Sequence, residues 1–355
     1  MMACKKIAII CPCFNEFDYV DDFILALSSQ TIFDDATYAV KVYFVDGLSD
    51  DGTFEKLLDF SKSNANIEVI KNIDRYVSCG LNIAISSLES ENINLLVRMD
   101  FHSIYPPTYI SYLVKQFYEI KAKDPCVVNV GVGLVTCPPD ESLKSHIISK
   151  VVSSKYGVGS SDFRVSSLDS SPIKVDTVPF GCFDFSVFKR VGKFDTELLR
   201  NQDDEFNLRI VNDGGSIYLL PGLRVKYFAR SNLHDLFRMF YQYGFFKPLV
   251  NYKRNSFASL RQFMPLSFVS SLLLFCLFIY VSVIPLLSLV TLYLIFIGAF
   301  VSGQEDEKFD SNPFLYSYYS GMTIFSVHFS YGFGYLVGLF SIVLGKRNVK
   351  FTVTR

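Results

Sequence analysis

The chain has 355 residues, a net charge of −1, no tryptophan and 19% charged residues, against roughly 25% in an average soluble domain. The deficit is local: no Asp, Glu, Lys or Arg occurs in the 43 residues between Arg261 and Glu305, or in the 35 between Asp310 and Lys346. This excludes a wholly soluble enzyme, a disordered chain and a secreted disulfide scaffold, and the near-neutral balance gives no footprint for nucleic acid.

In chain order, short apolar runs predict strands at Lys6–Cys11, Val40–Val45, Ile67–Ile70, Leu95–Met99 and Val127–Val135. Lys5-Lys6 with the following IAIICPCF has the flavour of a signal peptide, but its apolar stretch is short and broken by Pro12. Helical periods lie between the strands, near Tyr19–Ser29, Thr53–Ser63, Ser78–Ser87 and Pro107–Lys121. β-branched runs alternating with helices predict a doubly wound α/β domain with a mostly parallel sheet. Residues 136–175, rich in Ser, Pro and Gly, are expected to form a mobile loop region. Strand and helix signals resume at Val175–Phe185, Asp204–Asn212 and Ile217–Leu220. The eight cysteines show no CxxC pair, which points to reduced thiols in a cytosolic setting.

From Arg224 to Arg261 there are eight basic residues and one acid, Asp235. A basic segment before an apolar run predicts a cytoplasmic face and contact with anionic membrane lipid. The apolar run Phe263–Val301 exceeds one span of about 20 residues, and Pro285 divides it. Candidate helices are 266–284, 286–301 and 319–344, the last rich in Gly and Ser for helix–helix packing. Three full spans would put the basic tail 346–355 outside, against the positive-inside rule; a re-entrant or interfacial segment resolves the conflict.

Ligands of open α/β sheets bind at the carboxyl ends of the strands, which singles out three segments. VDGLSDDGT places Asp46 at a strand end, an acceptor for a ribose or base N–H, while Ser49 and Asp51 read as turn and helix cap. VRMDFHSIYPP delivers Asp100 and His102 at i, i+2 to the same face, a carboxylate and an imidazole suited to a divalent cation or, alternatively, a helix cap before Pro106-Pro107. RNQDDEFNLRI puts Asp203, Asp204 and Glu205 at a helix start, where acids serve the helix dipole or, facing a cleft, a general base.

Together and in this order, these segments resemble the inverting family 2 glycosyltransferases of the GT-A fold, and more narrowly the ExoA-type succinoglycan and exopolysaccharide transferases. CPCFNE resembles the family's P-x-[YF]-N-E, VDGLSDDGT its D-G-x-S-x-D-G-T, and RYVSCGLNIAI its segment with an exposed Arg, here Arg75. VRMDFHSIYPP is similar to the narrower group's R-x-D-x-H-x-x-Y-P-P, VPFGCFDFSVFKRVGKFD to its acceptor-side segment, and RNQDDEFNLRI to its N-[EQ]-D-x-E-[LF]-N-x-R. YQYGFFK, LRQFMP and HFSYGFGYLVGL are similar to its membrane-proximal and membrane segments.

The resemblance implies a GT-A catalytic domain over 1–223, a basic membrane-proximal segment over 224–262 and a membrane domain over 263–345. It implies that Pro12, Asn15, Glu16, Asp46 and Arg75 line the nucleotide pocket. Asp100, with His102, would hold Mg²⁺ or Mn²⁺ on the diphosphate, and Asp203 would deprotonate the acceptor, with Asp204 as second choice. The implied partners are a nucleotide-sugar donor, a UDP-sugar first, and a polyprenyl-linked saccharide acceptor at the cytoplasmic membrane. Two departures stand out: His102 replaces the second Asp of DxD, and Gln202 replaces a common Glu beside Asp203. With no tryptophan the chain lacks the Q-x-x-R-W of processive synthases, which favours transfer of a single sugar. A scaffold or transport component with a vestigial nucleotide-sugar fold is the alternative.

Overall fold

The computed structural model describes residues 4–159, 171–256, 260–304 and 311–345. The acidic stretch 305–310, the basic tail 346–355 and residues 160–170 of the expected loop lie outside them. The described residues fall into two compact units, one holding those up to Val135 and those of 171–227, the other holding 136–159 and those from Phe228 onward.

The first unit is built on β1 (Lys5–Cys13), β2 (Tyr38–Asp46), β3 (Ile67–Lys71), β4 (Leu95–Arg98), β5 (Ser103–Ile104), β6 (Val127–Cys137), β7 (Ile173–Lys174), β8 (Cys182–Asp184) and β9 (Ser216–Phe228). They form one nine-stranded mixed sheet in the order β3-β2-β1-β4-β8-β6-β9-β5, with β7 on β9. β3, β2, β1 and β4 are parallel, whereas β8 runs antiparallel to β4 and β6. Ile7 to Cys11 of β1 and Val42 to Val45 of β2 are fully buried, as the continuous apolar runs require of strands covered on both faces.

In chain order the helices that follow are α1 (Phe17–Ser28), α2 (Thr53–Lys62), α3 (Val77–Leu88), α4 (Tyr109–Lys121), α5 (Leu143–Val152), α6 (Lys155–Val158), α7 (Val187–Arg190) and α8 (Gln202–Asn212), of which α5 and α6 belong to the second unit and the others to the first. The first four match the predicted helices to within two residues at either end. The expectation for Val175–Phe185 is corrected: only Ile173–Lys174 and Cys182–Asp184 pair as strands. The chain between them turns through Phe180 and Gly181, both at positive φ (61° and 80°), outside the β region.

From β1 the chain steps to β2 and β3 on one side, then crosses to β4 on the other. The carboxyl ends of β1 and β4 therefore flank the topological switch point, where such sheets bind ligands. Register sets which side chains meet there: Cys13 pairs with Asp46, and Ile10 with Arg98.

The second unit is helical. It contains α9 (Leu233–Arg254), α10 (Phe263–Leu277), α11 (Ile284–Ser302) and α12 (Pro313–Val343) as well as α5 and α6. Three helices among the described residues, 260–277, 284–302 and 313–343, are long and apolar enough to cross a membrane. Pro285 opens α11 rather than breaking a helix, since its missing N–H costs nothing in a first turn. α12 is the more buried of the three, and glycines set its packing on α9. A Cβ at Gly338 would sit 2.2 Å from Phe245 O, one at Gly334 2.2 Å from Tyr241 O, and one at Gly244 of α9 2.0 Å from Tyr331 O. Only hydrogen fits in those gaps.

Residues 136–159 differ from the mobile loop expected. Ser142 caps α5, accepting the Ser145 N–H at 3.2 Å. Along α5, Ile147 and Val151 join Phe300, Tyr316 and Ile324, while Ile148 and Val152 join Leu236, Phe240 and Val327. Helical spacing thus buries two stripes of one short helix, a pattern masked in the sequence by the surrounding Ser and Pro. Ser154 caps α6 in the same way.

Candidate active site

The loops after β1 and β2 are tied together. Asp46 is 1% exposed, and its carboxylate accepts the Ser49 N–H at 3.0 Å and the Ser49 hydroxyl at 2.5 Å. Ser49 Oγ in turn accepts the Asn15 N–H at 2.9 Å. Asn15 stands at φ 54°, a conformation Asn tolerates better than most residues. Its amide exchanges hydrogen bonds with Asp50, giving one to Oδ1 at 2.9 Å and taking the Asp50 N–H at 3.1 Å. Asp51 accepts from the Phe17 N–H and from Thr53, and Thr53 Oγ1 accepts the Glu16 N–H at 2.9 Å. Ser49 and Asp51 are therefore turn and cap residues, as their types suggest, and they fix the backbone that presents Asn15, Glu16 and Asp46. Pro12 is half-buried in β1 beside Val45. Arg75 is exposed at φ 65°, its guanidinium 5.8 Å from the Phe14 ring. The structure thus brings Arg75 to the same two loops.

Asp100 follows β4. Its N–H is held by Tyr105 Oη at 2.7 Å, and Tyr105 is locked in a ring cluster with Phe23, Tyr109 and Phe180. The apolar and aromatic residues of VRMDFHSIYPP therefore shape the turn, leaving the Asp100 carboxylate 16% exposed. His102 Nδ1 faces Glu16 Oε1 at 3.3 Å, and its ring lies edge-on to Tyr227. Glu16 thus meets His102, a partnership the sequence did not disclose.

The acids of α8 separate into different roles. Glu205 is fully buried and bound by Arg209 through two contacts of 2.9 Å, and Arg209 also donates to the carbonyls of Val191 and Lys193. Phe206 beside it packs on Phe183, Phe188 and Phe194. Glu205 is thus a structural ion pair anchoring the helix. Asp203 turns instead to Arg98, whose Nη1 donates to Asp203 Oδ1 at 2.6 Å. The same guanidinium presents Nη2 to Asp100, 3.3 Å from Oδ1 and 3.5 Å from Oδ2. Lost solvation raises the Asp203 carboxyl above the ordinary range; the Arg98 charge opposes this, and Asp100 and Asp204 add to it. Arg98 is 7% exposed and stays charged, held by both acids. Sequence reasoning gave Arg98 no role. It ends an apolar strand, and one of its partners lies 105 residues away.

No group of three or more His, Cys, Asp and Glu side chains among the described residues is arranged to hold a metal. Asp100 and His102 are a hard oxygen and an imidazole, fit for a cation whose other ligands come from a bound diphosphate. With Nδ1 committed to Glu16, Nε2 of His102 remains for such a cation, the arrangement usual for ligating histidines.

Three kinds of comparison bear on the family and the fold. The chain is 25% identical over 259 residues to the succinoglycan biosynthesis protein ExoA of Rhizobium meliloti, covering 73% of this chain and 74% of that protein. It is 24% identical over 270 residues to a dolichyl N-acetyl-alpha-D-glucosaminyl phosphate 3-beta-D-2,3-diacetamido-2,3-dideoxy-beta-D-glucuronosyltransferase of Methanococcus voltae, covering 75% of this chain and 80% of the relative. In fold it is similar to the mannosyltransferase PcManGT of Pyrobaculum calidifontis, solved with GDP-Man and Mn²⁺, at a TM-score of 0.54 and 14% identity over 94% of this chain and 87% of that one. The family description Glycosyl transferase family 2 matches residues 8–190, just over half of the chain. The chain therefore belongs to glycosyltransferase family 2, with a GT-A fold followed by apolar helices able to span a membrane.

Proposed function

We propose that this chain is a membrane-anchored, inverting glycosyltransferase that moves one sugar from a nucleotide-sugar donor, a UDP-sugar first, to a polyprenyl-linked saccharide in surface-polysaccharide synthesis. The observation that carries the reading is the meeting of Asp100 and Asp203 around Arg98 beside the switch point. One acid sits at the end of β4, where a diphosphate would lie, and the other opens α8 with 38% of its side chain exposed.

In this reading Pro12, Asn15, Glu16, Asp46 and Arg75 bind the nucleotide. Asp46 does so from a carboxylate already organised by Ser49, which lowers the ordering cost of binding. Asp100 and His102 are the residues that would hold Mg²⁺ or Mn²⁺. Bound there, the cation supplies charge neutralisation for the leaving group. Asp203 takes the proton of the acceptor hydroxyl as that oxygen attacks the anomeric carbon in line. Attack opposite the departing nucleoside diphosphate inverts the anomeric centre. Residues 1–223 supply the catalysis, and 224–262 and 263–345 hold it at the cytoplasmic membrane, where a lipid-linked acceptor is presented. Support for that placement comes from the apolar helices, the basic run Arg224–Arg261 and the dolichyl-linked sugar phosphate in the name of the Methanococcus voltae relative.

The test is a donor panel on the full chain in detergent, with and without Mg²⁺ or Mn²⁺, reading nucleoside diphosphate release. One donor turned over only with metal, and a weakened metal titration in Asp100→Ala, are expected. Donor binding without turnover under any metal would contradict the reading.

A further inference from the structure

We propose that Arg98 is a positioning residue for the transfer step, fixing the carboxylate of Asp203 and holding it in register with Asp100. The proposal rests on the reading of Asp203 as the base. Among the described residues, the side-chain hydrogen bonds of Arg98 go to these two acids: Nη1 to Asp203 at 2.6 Å, and Nη2 to Asp100 at 3.3 and 3.5 Å. Its buried Nε finds no partner among the described residues.

Arg98 is anchored from behind as well. Its backbone N–H donates to Gly181 O at 3.1 Å, and the Phe180 ring lies 6.0 Å from its central carbon. Phe180 holds φ 61°, a conformation costly for a bulky residue. A strained turn therefore seats the arginine, and the arginine seats the acid.

A carboxylate turns easily about its terminal bond. One arm of the planar guanidinium holds Asp203 and the other faces Asp100, which fixes the two carboxylates relative to each other as a point charge does not. With Asp203 Oδ1 engaged, Oδ2 makes no hydrogen bond among the described residues, on a side chain 38% exposed. Oδ2 is thus the atom left to accept the acceptor's proton. The ion-pair alternative, in which Arg98 only balances buried acids, requires a loss of stability without a selective effect on turnover.

The test compares Arg98→Lys, Arg98→Met, Asp203→Asn and the double variant Arg98→Lys/Asp203→Asn, as full chains in detergent. The assay is metal-dependent nucleoside diphosphate release from the donor that wild type uses. Lysine keeps the charge but loses the fork, so Arg98→Lys should lower kcat on the order of 10²-fold, the cost of a small misplacement. Its donor KM should stay within about threefold of wild type. The double variant should be no slower than Asp203→Asn, because a base that is absent needs no positioning. If Arg98→Met fails to fold, Arg98→Lys and the double variant decide. Wild-type kcat in Arg98→Lys, or multiplicative losses in the double variant, would overturn the proposal while leaving the base assignment intact. Wild-type turnover in Asp203→Asn would overturn both.

Discussion

Replacing Gly181 by alanine tests whether the turn before β8 governs both the stability and the chemistry of the domain. Gly181 stands at φ +80°, and a Cβ there would lie 2.6 Å from Asn129 Oδ1 and 2.8 Å from the Phe183 ring. Asn129 is fully buried and committed through Nδ2 to Asn207, so it has no free direction in which to retreat. The left-handed conformation costs an L-residue about 1–2 kcal/mol, and overpacking a well-filled core costs typically 1–3 kcal/mol. Together they predict a loss of about 2–5 kcal/mol, from a domain whose whole stability is on the order of 5–15 kcal/mol. At roughly 2–4 °C per kcal/mol for a unit of this size, thermal unfolding of the full chain in detergent should register it clearly. Gly181 O also takes the Arg98 N–H, so the surviving folded fraction should show a lowered kcat at nearly unchanged donor KM. A variant that melts with wild type and turns over at the wild-type rate would refute the reasoning.

Two further outcomes follow from the same physics. Gly338→Leu places side-chain atoms where the Cβ alone already falls 2.2 Å from Phe245 O; α9 and α12 must part, and Tm in detergent should drop by the equivalent of at least about 1–3 kcal/mol, whereas Gly298→Leu, at a site with open space around its Cβ, should leave Tm unchanged. Asp203 carries a raised pKa in the unliganded chain, set first by its lost solvation, and a base works only when deprotonated, so kcat/KM should fall on the acid side through a pKa above the ordinary Asp value of about 3.9; an acid limb of kcat/KM at or below that value contradicts the assignment.

Much of the catalytic unit is legible in the sequence because its determinants are local. Apolar runs bounded by turn residues mark β1 to β4, and the acids that follow them fall at the sheet's carboxyl edge once a parallel order is assumed. What is not legible is pairing across distance. Arg98 looks like the end of a buried strand until Asp203 arrives from α8, and nothing in CPCFNE indicates that Glu16 also meets His102. Within RNQDDEFNLRI, composition alone cannot separate Asp203 from Glu205; burial and the Arg209 pair do. In 143–158, serine caps conceal a helix whose apolar stripes need α9, α11 and α12 before they become visible as a pattern.

The central claim is that this site transfers a sugar with Asp203 as its base. The most direct measurement is product formation by Asp203→Asn beside wild type, at saturating donor and metal, with donor binding measured on the same preparations. The account predicts a kcat lower by about 10²–10⁴-fold, the usual contribution of general base catalysis, with donor affinity largely retained. Undiminished turnover in the variant, or loss of donor binding in place of loss of turnover, would contradict it.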